Sequence, residues 1–276
     1  MKVDDRQRWL ALYVLCLGSL MIVLDATIVN VALPSIREDL GFSETSLAWV
    51  VNAYLLTYGG LLLLGGRLGD LYGHRRLFIF GITLFTVSSL VCGLSTTQGM
   101  LVGARALQGV GGAIASAVSL SLIMTLFTET ADRAKAMGFF GFVASGGGTL
   151  GVLLGGVLTD SLSWHWIFLV NVPIGVAVCA LCLRLLPAAE GRSAGGKLDV
   201  PGAVCVTSAL MVATYAIVNG NENGWSSFET LGLLGLGAAL FVLFLVIESR
   251  VSAPLMPLRL FQHRNVATAN AVGVLW

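Results

Sequence analysis

Two charged side chains stand where an apolar sequence has least reason to place them. Asp25 lies within L-D-A-T-I-V-N-V-A-L-P (24–34) and Arg105 within R-A-L-Q-G-V-G-G-A (105–113), each inside a long apolar run. A charge within a bilayer costs at least ~2.5–3.5 kcal/mol on insertion scales, so each needs a partner or a water-filled cavity. Asp25 is nine residues before Pro34 and Arg105 six after Gly99. At ~1.5 Å per residue both then sit about 9–13 Å below the outer surface and are expected to meet across a central cleft. Two readings of Asp25 follow. It exchanges a proton as the cleft opens and closes, or it anchors the first helix by hydrogen bonding to its neighbours.

A second constellation is G-R-L-G-D-L-Y-G-H-R-R (66–76), four charges and a histidine between two apolar runs. Gly66, Gly69 and Gly73 suit a tight helix-to-helix turn. Asp70 is placed to cap a helix N-terminus or to pair with Arg75 or Arg76. The run reads as a gate or hinge, or as a set of charges that only fixes topology. On the fourth apolar run Arg105, Gln108, Gly109 and Gly112 share one helical face. In the fifth, Gly147, Gly151 and Gly155 recur every four residues, with Gly148 and Gly156 beside them. That ridge admits a neighbouring helix closely, and it also lets its own helix bend. Thr27, Asn30, Asn52, Tyr54 and Gln108 add polar groups as cavity candidates. Trp164, Trp166 and Trp225 read as interfacial anchors.

The elements that position these residues follow from composition. Of 276 residues 56% are hydrophobic and 11% charged, about half the charge of a soluble domain, so the chain is read as an all-α polytopic membrane protein. Apolar spans fall at about 9–33, 46–65, 77–95, 99–126, 134–158, 165–186, 199–219 and 229–248, with a ninth starting at 264–276. Their length and lack of alternation indicate helices rather than barrel strands. The first span is retained rather than cleaved, since its apolar core is too long for a signal peptide and its head carries two acids. With the N-terminus inside, every Lys and Arg except Arg37 and Arg105 falls in the tail or in the loops near 66–76, 127–135, 184–198 and 249–264, at or within a residue of an inner span end. The positive-inside rule therefore places the N-terminus in the cytoplasm.

Residues 1–186 form a six-helix block, 187–198 a cytoplasmic linker rich in small residues, 199–248 a two-helix insert, and 249–276 a cytoplasmic loop with the start of a ninth span. Because about 13 residues cover only two-thirds of a ~30 Å hydrocarbon core, the chain is expected to be truncated. The net charge of +1 gives no sign of a nucleic-acid partner. The five cysteines all fall in apolar spans and read as small buried hydrophobes. Three histidines, with no nucleophile, base and orienting group converging in sequence, argue against an enzyme, a metal site or a cofactor.

Taken together, these motifs resemble the major facilitator superfamily, specifically its fourteen-helix drug:proton antiporter branch. Residues 66–76 are similar to the family's G-x-L-a-D-r-x-G-r-k-x signature between helices two and three, with Asp70 and Arg75 at its gating positions. Residues 24–34 resemble the branch's first-helix motif, and Arg105 to Gly112 its fourth-helix R-x-x-x-G-x-G-x pattern. Trp49 and Tyr54 fit its second helix. The fifth-helix pattern G-x-x-x-G-P-x-x-G-G is met by Gly147, Gly151, Gly155 and Gly156, but Val152 stands where proline is expected. The resemblance implies two six-helix halves rocking about a midplane site, of which this chain holds the first half and the two-helix insert. It implies proton-coupled export of hydrophobic or cationic drugs or related small molecules, with the lipid bilayer, protons and a missing C-terminal half as partners, and a fragment inactive alone. A facilitator or symporter of a small nutrient, and a non-transporting membrane scaffold, are the alternatives.

Overall fold

The computed structural model describes residues 5–186 and 199–251 (without the side chains of 221 and 222), together with 254, 255, 262, 266, 268 and 270. The expected linker at 187–198 and most of the expected ninth span lie outside the described residues. Eight helices are long and apolar enough to cross a membrane, and no strand occurs among the described residues.

The helices are α1 (Asp5–Leu40), α2 (Glu44–Tyr72), α3 (His74–Gly93), α4 (Gln98–Leu126), α5 (Thr130–Ser161), the short α6 (Trp166–Leu169), α7 (Asn171–Leu185), α8 (Val200–Asn223) and α9 (Phe228–Arg250). Most overrun their apolar spans. α1 has 36 residues, about 54 Å at ~1.5 Å each, against a hydrocarbon core of ~30 Å. It continues through Pro34, where the sequence suggested its outer end, and stops at Leu40. Gly41 follows with φ +67, and Gln98 donates from the start of α4 to the carbonyls of Leu40 and Gly41 at 3.1 and 3.0 Å. Ser43 and Ser46 then form a reciprocal capping box that starts α2. The sixth span is present as Trp166–Leu185 and is divided at Val170 into α6 and α7.

The chain divides into two compact units, Met1–Ala194 and Gly195–Trp276. In the first, α4 is the hub: α2 and α3 pack along it, α1 packs on α5 and α7, and α3 also meets α7. Close approach is made by residues without side chains, as expected where lipid supplies no hydrophobic drive between helices. Gly81 on α3 and Gly111 on α4 face each other so closely that a Cβ on either would lie 2.8 Å from the other's carbonyl oxygen. Thr57 of α2 donates to the Ala106 carbonyl of α4 at 2.8 Å. In the second unit α8 and α9 pack as a hairpin, with Gly237 set against Ala209 and Ala213.

On α5 the ridge of Gly147, Gly151 and Gly155 is buried against α1, facing Val23, Thr27 and Ile28 respectively. Gly156 departs from it: a Cβ there would meet nothing within 4 Å, while Val152, at the position of the missing proline, is 53% exposed. α5 runs unbroken from Thr130 to Ser161. The ridge is a packing surface against α1, and the helix continues without a break through it.

Candidate functional site

Asp25, in the middle of α1, is bonded by residues from two other helices, α4 and α7. Its Oδ2 accepts from Arg105 Nη1 at 2.5 Å, and both side chains are fully buried. Its Oδ1 accepts from Gln108 Nε2 at 2.7 Å and from Asn171 Nδ2 at 2.9 Å. The two amides share Ser89 of α3, donating to its Oγ at 2.6 and 3.3 Å. Arg105 also donates from Nε to the Val50 carbonyl of α2 at 2.9 Å and from Nη1 to Gln108 Oε1 at 2.6 Å. Its guanidinium carbon lies 4.2 Å from the centre of the Tyr54 ring and 5.6 Å from that of Phe168. A cation over an aromatic face gains further stabilisation when water is excluded.

The meeting of Asp25 and Arg105 expected from their depths is therefore present, but as direct contact inside the bundle rather than across an open cleft. The reason is chemical. A carboxylate and a guanidinium away from water lower each other's burial penalty only in contact. Both Asp25 oxygens and Arg105 Nε and Nη1 are engaged, while Arg105 Nη2 is buried without a hydrogen-bond partner among the described residues. The α4 face read from the sequence also divides. Arg105 reaches α1 and α2 and Gln108 reaches α1 and α3, whereas Gly109 and Gly112 only make room for Tyr54 and Tyr58 of α2. Tyr54 is buried and stacks on Tyr58, with ring centres 5.7 Å apart. Among the other cavity candidates, Thr27 bonds its own helix at Leu24 and lies under Gly151. Asn30 is exposed and bonds back to Ala26, and Asn52 is partly buried.

Asn171, Ser89 and the Val50 carbonyl were not singled out in the sequence. A signal for Asn171 exists: it is the only side-chain amide in W-I-F-L-V-N-V-P-I-G-V-A-V-C-A-L-C-L, residues 166–183. Trp164 is also not an interfacial anchor. It is 3% exposed and donates to Asp39 at 2.9 Å, while Trp166 and Trp225 are exposed.

At the other constellation the turn is shorter than expected. α2 runs through Gly66 and Asp70 to Tyr72, and Gly73 alone separates it from α3. Gly73 has φ +96, a conformation that residues with a Cβ rarely adopt. Asp70 neither caps α3 nor pairs with Arg75 or Arg76. Being in the last turn of α2 it sits one turn from His74, whose Nε2 is 3.2 Å from Oδ1, and 4.0 Å from Arg67 Nη1. Arg75 reaches across to donate to the Leu183 carbonyl near the end of α7 at 2.9 Å, and Arg76 is exposed. Gly69 packs on Val118 of α4. Gln7 of α1 donates to the Leu185 carbonyl at 3.1 Å. The last carbonyls of α7, which its own helix leaves unpaired, are thus met from α1 and α3. Among the described residues no group of His, Cys, Asp and Glu is arranged to hold a metal ion.

Eight apolar helical spans, with a buried ion pair inside the first unit, define a multi-pass membrane protein. The Major Facilitator Superfamily profile matches residues 15–274, and the chain belongs to that family. It is 44% identical over 260 residues to the puromycin resistance protein pur8 of Streptomyces alboniger, covering 94% of this chain and 51% of that protein. It is 42% identical to the cephamycin export protein CmcT of Amycolatopsis lactamdurans, over 96% of this chain and 55% of the relative. To the multidrug resistance protein Stp of Mycobacterium tuberculosis it is 38% identical, over 97% and 50%. The chain spans about half the length of these relatives. Among solved structures it superposes on a peptide transporter POT with TM-score 0.64 at 17% identity, covering 87% of this chain and 52% of that one. The human organic anion transporter MFSD10 gives 0.59 at 18% identity, covering 77% and 56%. At these identities the structures speak for the fold alone.

Proposed function

We propose that this chain supplies the first half of a proton-coupled exporter of hydrophobic or cationic small molecules, working by alternating access in the plasma membrane with its N-terminus in the cytoplasm. The observation that carries the proposal is the Asp25–Arg105 contact at 2.5 Å, fully buried where residues of α1, α2, α3, α4 and α7 converge. Relatives named for puromycin resistance, cephamycin export and multidrug resistance supply the substrate class. A proton on Asp25 removes the charge that binds α1 to Arg105 on α4. Proton occupancy and the contact between these helices are therefore linked, and linkage is reciprocal: whatever separates the helices changes the affinity for the proton. Thr27, Asn30, Asn52, Tyr54 and Gln108 are proposed to face the transport path in at least one state. The Gly66–Arg76 segment is proposed as the cytoplasmic gate, with Asp70 held by His74 and Arg67.

One observation favours a second reading of Asp25. Both its oxygens are engaged by N–H donors, from α4 and α7, and a carboxylate so satisfied also serves as a static anchor.

The test is transport by the full-length protein, reconstituted in liposomes, under an imposed proton gradient. Export of a cationic dye that collapses when the gradient is discharged supports antiport. Equal rates with and without the gradient point to a facilitator instead.

A further inference from the structure

Asn171 sits fully buried at the start of α7 with its two halves treated differently. Its NH2 donates to Asp25 and Ser89, while its Oδ1 is buried and meets no partner among the described residues. Gln108 makes the same two donations, but its Oε1 is held by Arg105 at 2.6 Å and by the Cys92 thiol at 3.7 Å. A carboxylate offers only acceptors, so both amides must turn their nitrogens toward it. Gln108 is locked in that orientation by Arg105. Asn171 is not.

A protonated carboxyl group asks for the opposite partner, because its O–H donates. Resting on the proton-coupling role given to Asp25 above, we propose that Asn171 is a positioning residue for Asp25 that answers both protonation states by turning its side-chain amide over. With Asp25 charged, the Asn171 NH2 donates to Oδ1. When a hydronium ion gives its proton to Oδ1 and leaves as water, the new O–H donates to the Asn171 Oδ1, which gains the partner it lacks. The hydrogen bonds that break are those from Asn171 Nδ2 to Asp25 and Ser89, and Oδ2 keeps Arg105. The only covalent changes are the hydronium O–H that breaks, releasing water, and the Asp25 O–H that forms. The titratable or charged groups facing Asp25 are Arg105 from α4, Tyr54 from α2 and Cys92 from α3. α7 contributes the neutral Asn171. A buried amide with one end unpaired is a poor packing residue, since a leucine would fill the space without an orphaned oxygen.

The reporter is the infrared C=O stretch of protonated Asp25 in the full-length protein in liposomes, assigned by its loss in Asp25→Asn. In the wild type acidification should raise a band at the low wavenumber of a hydrogen-bonded acid. In Asn171→Leu the band should move to higher wavenumber, and Asn171→Ser, whose hydroxyl both donates and accepts, should restore part of the shift. A band at the same position in wild type and Asn171→Leu overturns the amide switch and leaves proton coupling by Asp25 standing. No Asp25-dependent band at any pH that supports transport overturns both. Should Asn171→Leu fail to insert, asparagine carrying 13C at the side-chain carbonyl gives the same answer in the wild type. The Asn171 amide band, assigned by its loss in Asn171→Ser, should fall in wavenumber on acidification as its oxygen gains a donor, and a stationary band overturns the proposal.

Discussion

Asp25 and Arg105 depend on each other unequally. Removing the carboxylate as Asp25→Asn leaves Arg105 with the Gln108 oxygen, the Val50 carbonyl and the Tyr54 ring. Removing the guanidinium as Arg105→Ala leaves a buried carboxylate with amide donors only, and opens a cavity beside Tyr54 and Phe168. Breaking buried pairs of this kind costs about 3–5 kcal/mol, so Arg105→Ala should lower the thermal midpoint in detergent more than Asp25→Asn does. Equal midpoints would contradict the unequal dependence of the two residues. These two residues were legible in the sequence because a charge in an apolar run has few reasons to exist. Asn171 and Ser89 were not, because a single amide or hydroxyl in a span is common, and only the fold shows that both converge on the same carboxylate.

Helix positions were legible from apolar runs, whereas helix ends were not. Hydropathy stops where charges begin, but α2 continues as helix through Arg67 and Asp70 because only Gly73 adopts a left-handed backbone. The charges Asp70, Arg75 and Arg76 lie within seven residues, yet helical spacing sends Asp70 to His74 and Arg75 to α7. If this junction is the gate, Asp70→Asn in the full-length protein should cut export while leaving membrane insertion unchanged, as measured by dye efflux and membrane yield. Efflux at the wild-type rate would reduce the segment to a topology signal. The glycine ridge of α5 gives a second test at this scale. A Cβ on Gly151 would fall against Thr27 Oγ1 and lie 2.9 Å from the Leu24 carbonyl, while one at Gly156 meets nothing within 4 Å. Gly151→Val should therefore destabilise by about 1–3 kcal/mol or more through overpacking, and Gly156→Ala by less than about 0.5 kcal/mol. Thermal midpoints of the two variants that coincide would contradict the α1–α5 packing.

At the scale of the molecule, the charge pattern sets an orientation that labelling can check. With the N-terminus inside, a reporter at residue 222, at the end of α8, should be reached by impermeant reagents from outside. Protection there together with access from the cytoplasm would invert the map. The account as a whole rests on one carboxylate joining proton occupancy to helix contact, and substrate-induced proton release from the full-length protein in liposomes addresses it most directly. Asp25→Asn keeps the size of the side chain and removes its proton. The account predicts that this variant still binds its compound but releases no proton on binding, with export no longer following the gradient. Release equal to wild type by Asp25→Asn would contradict it, leaving Asp25 as an anchor between α1, α4 and α7.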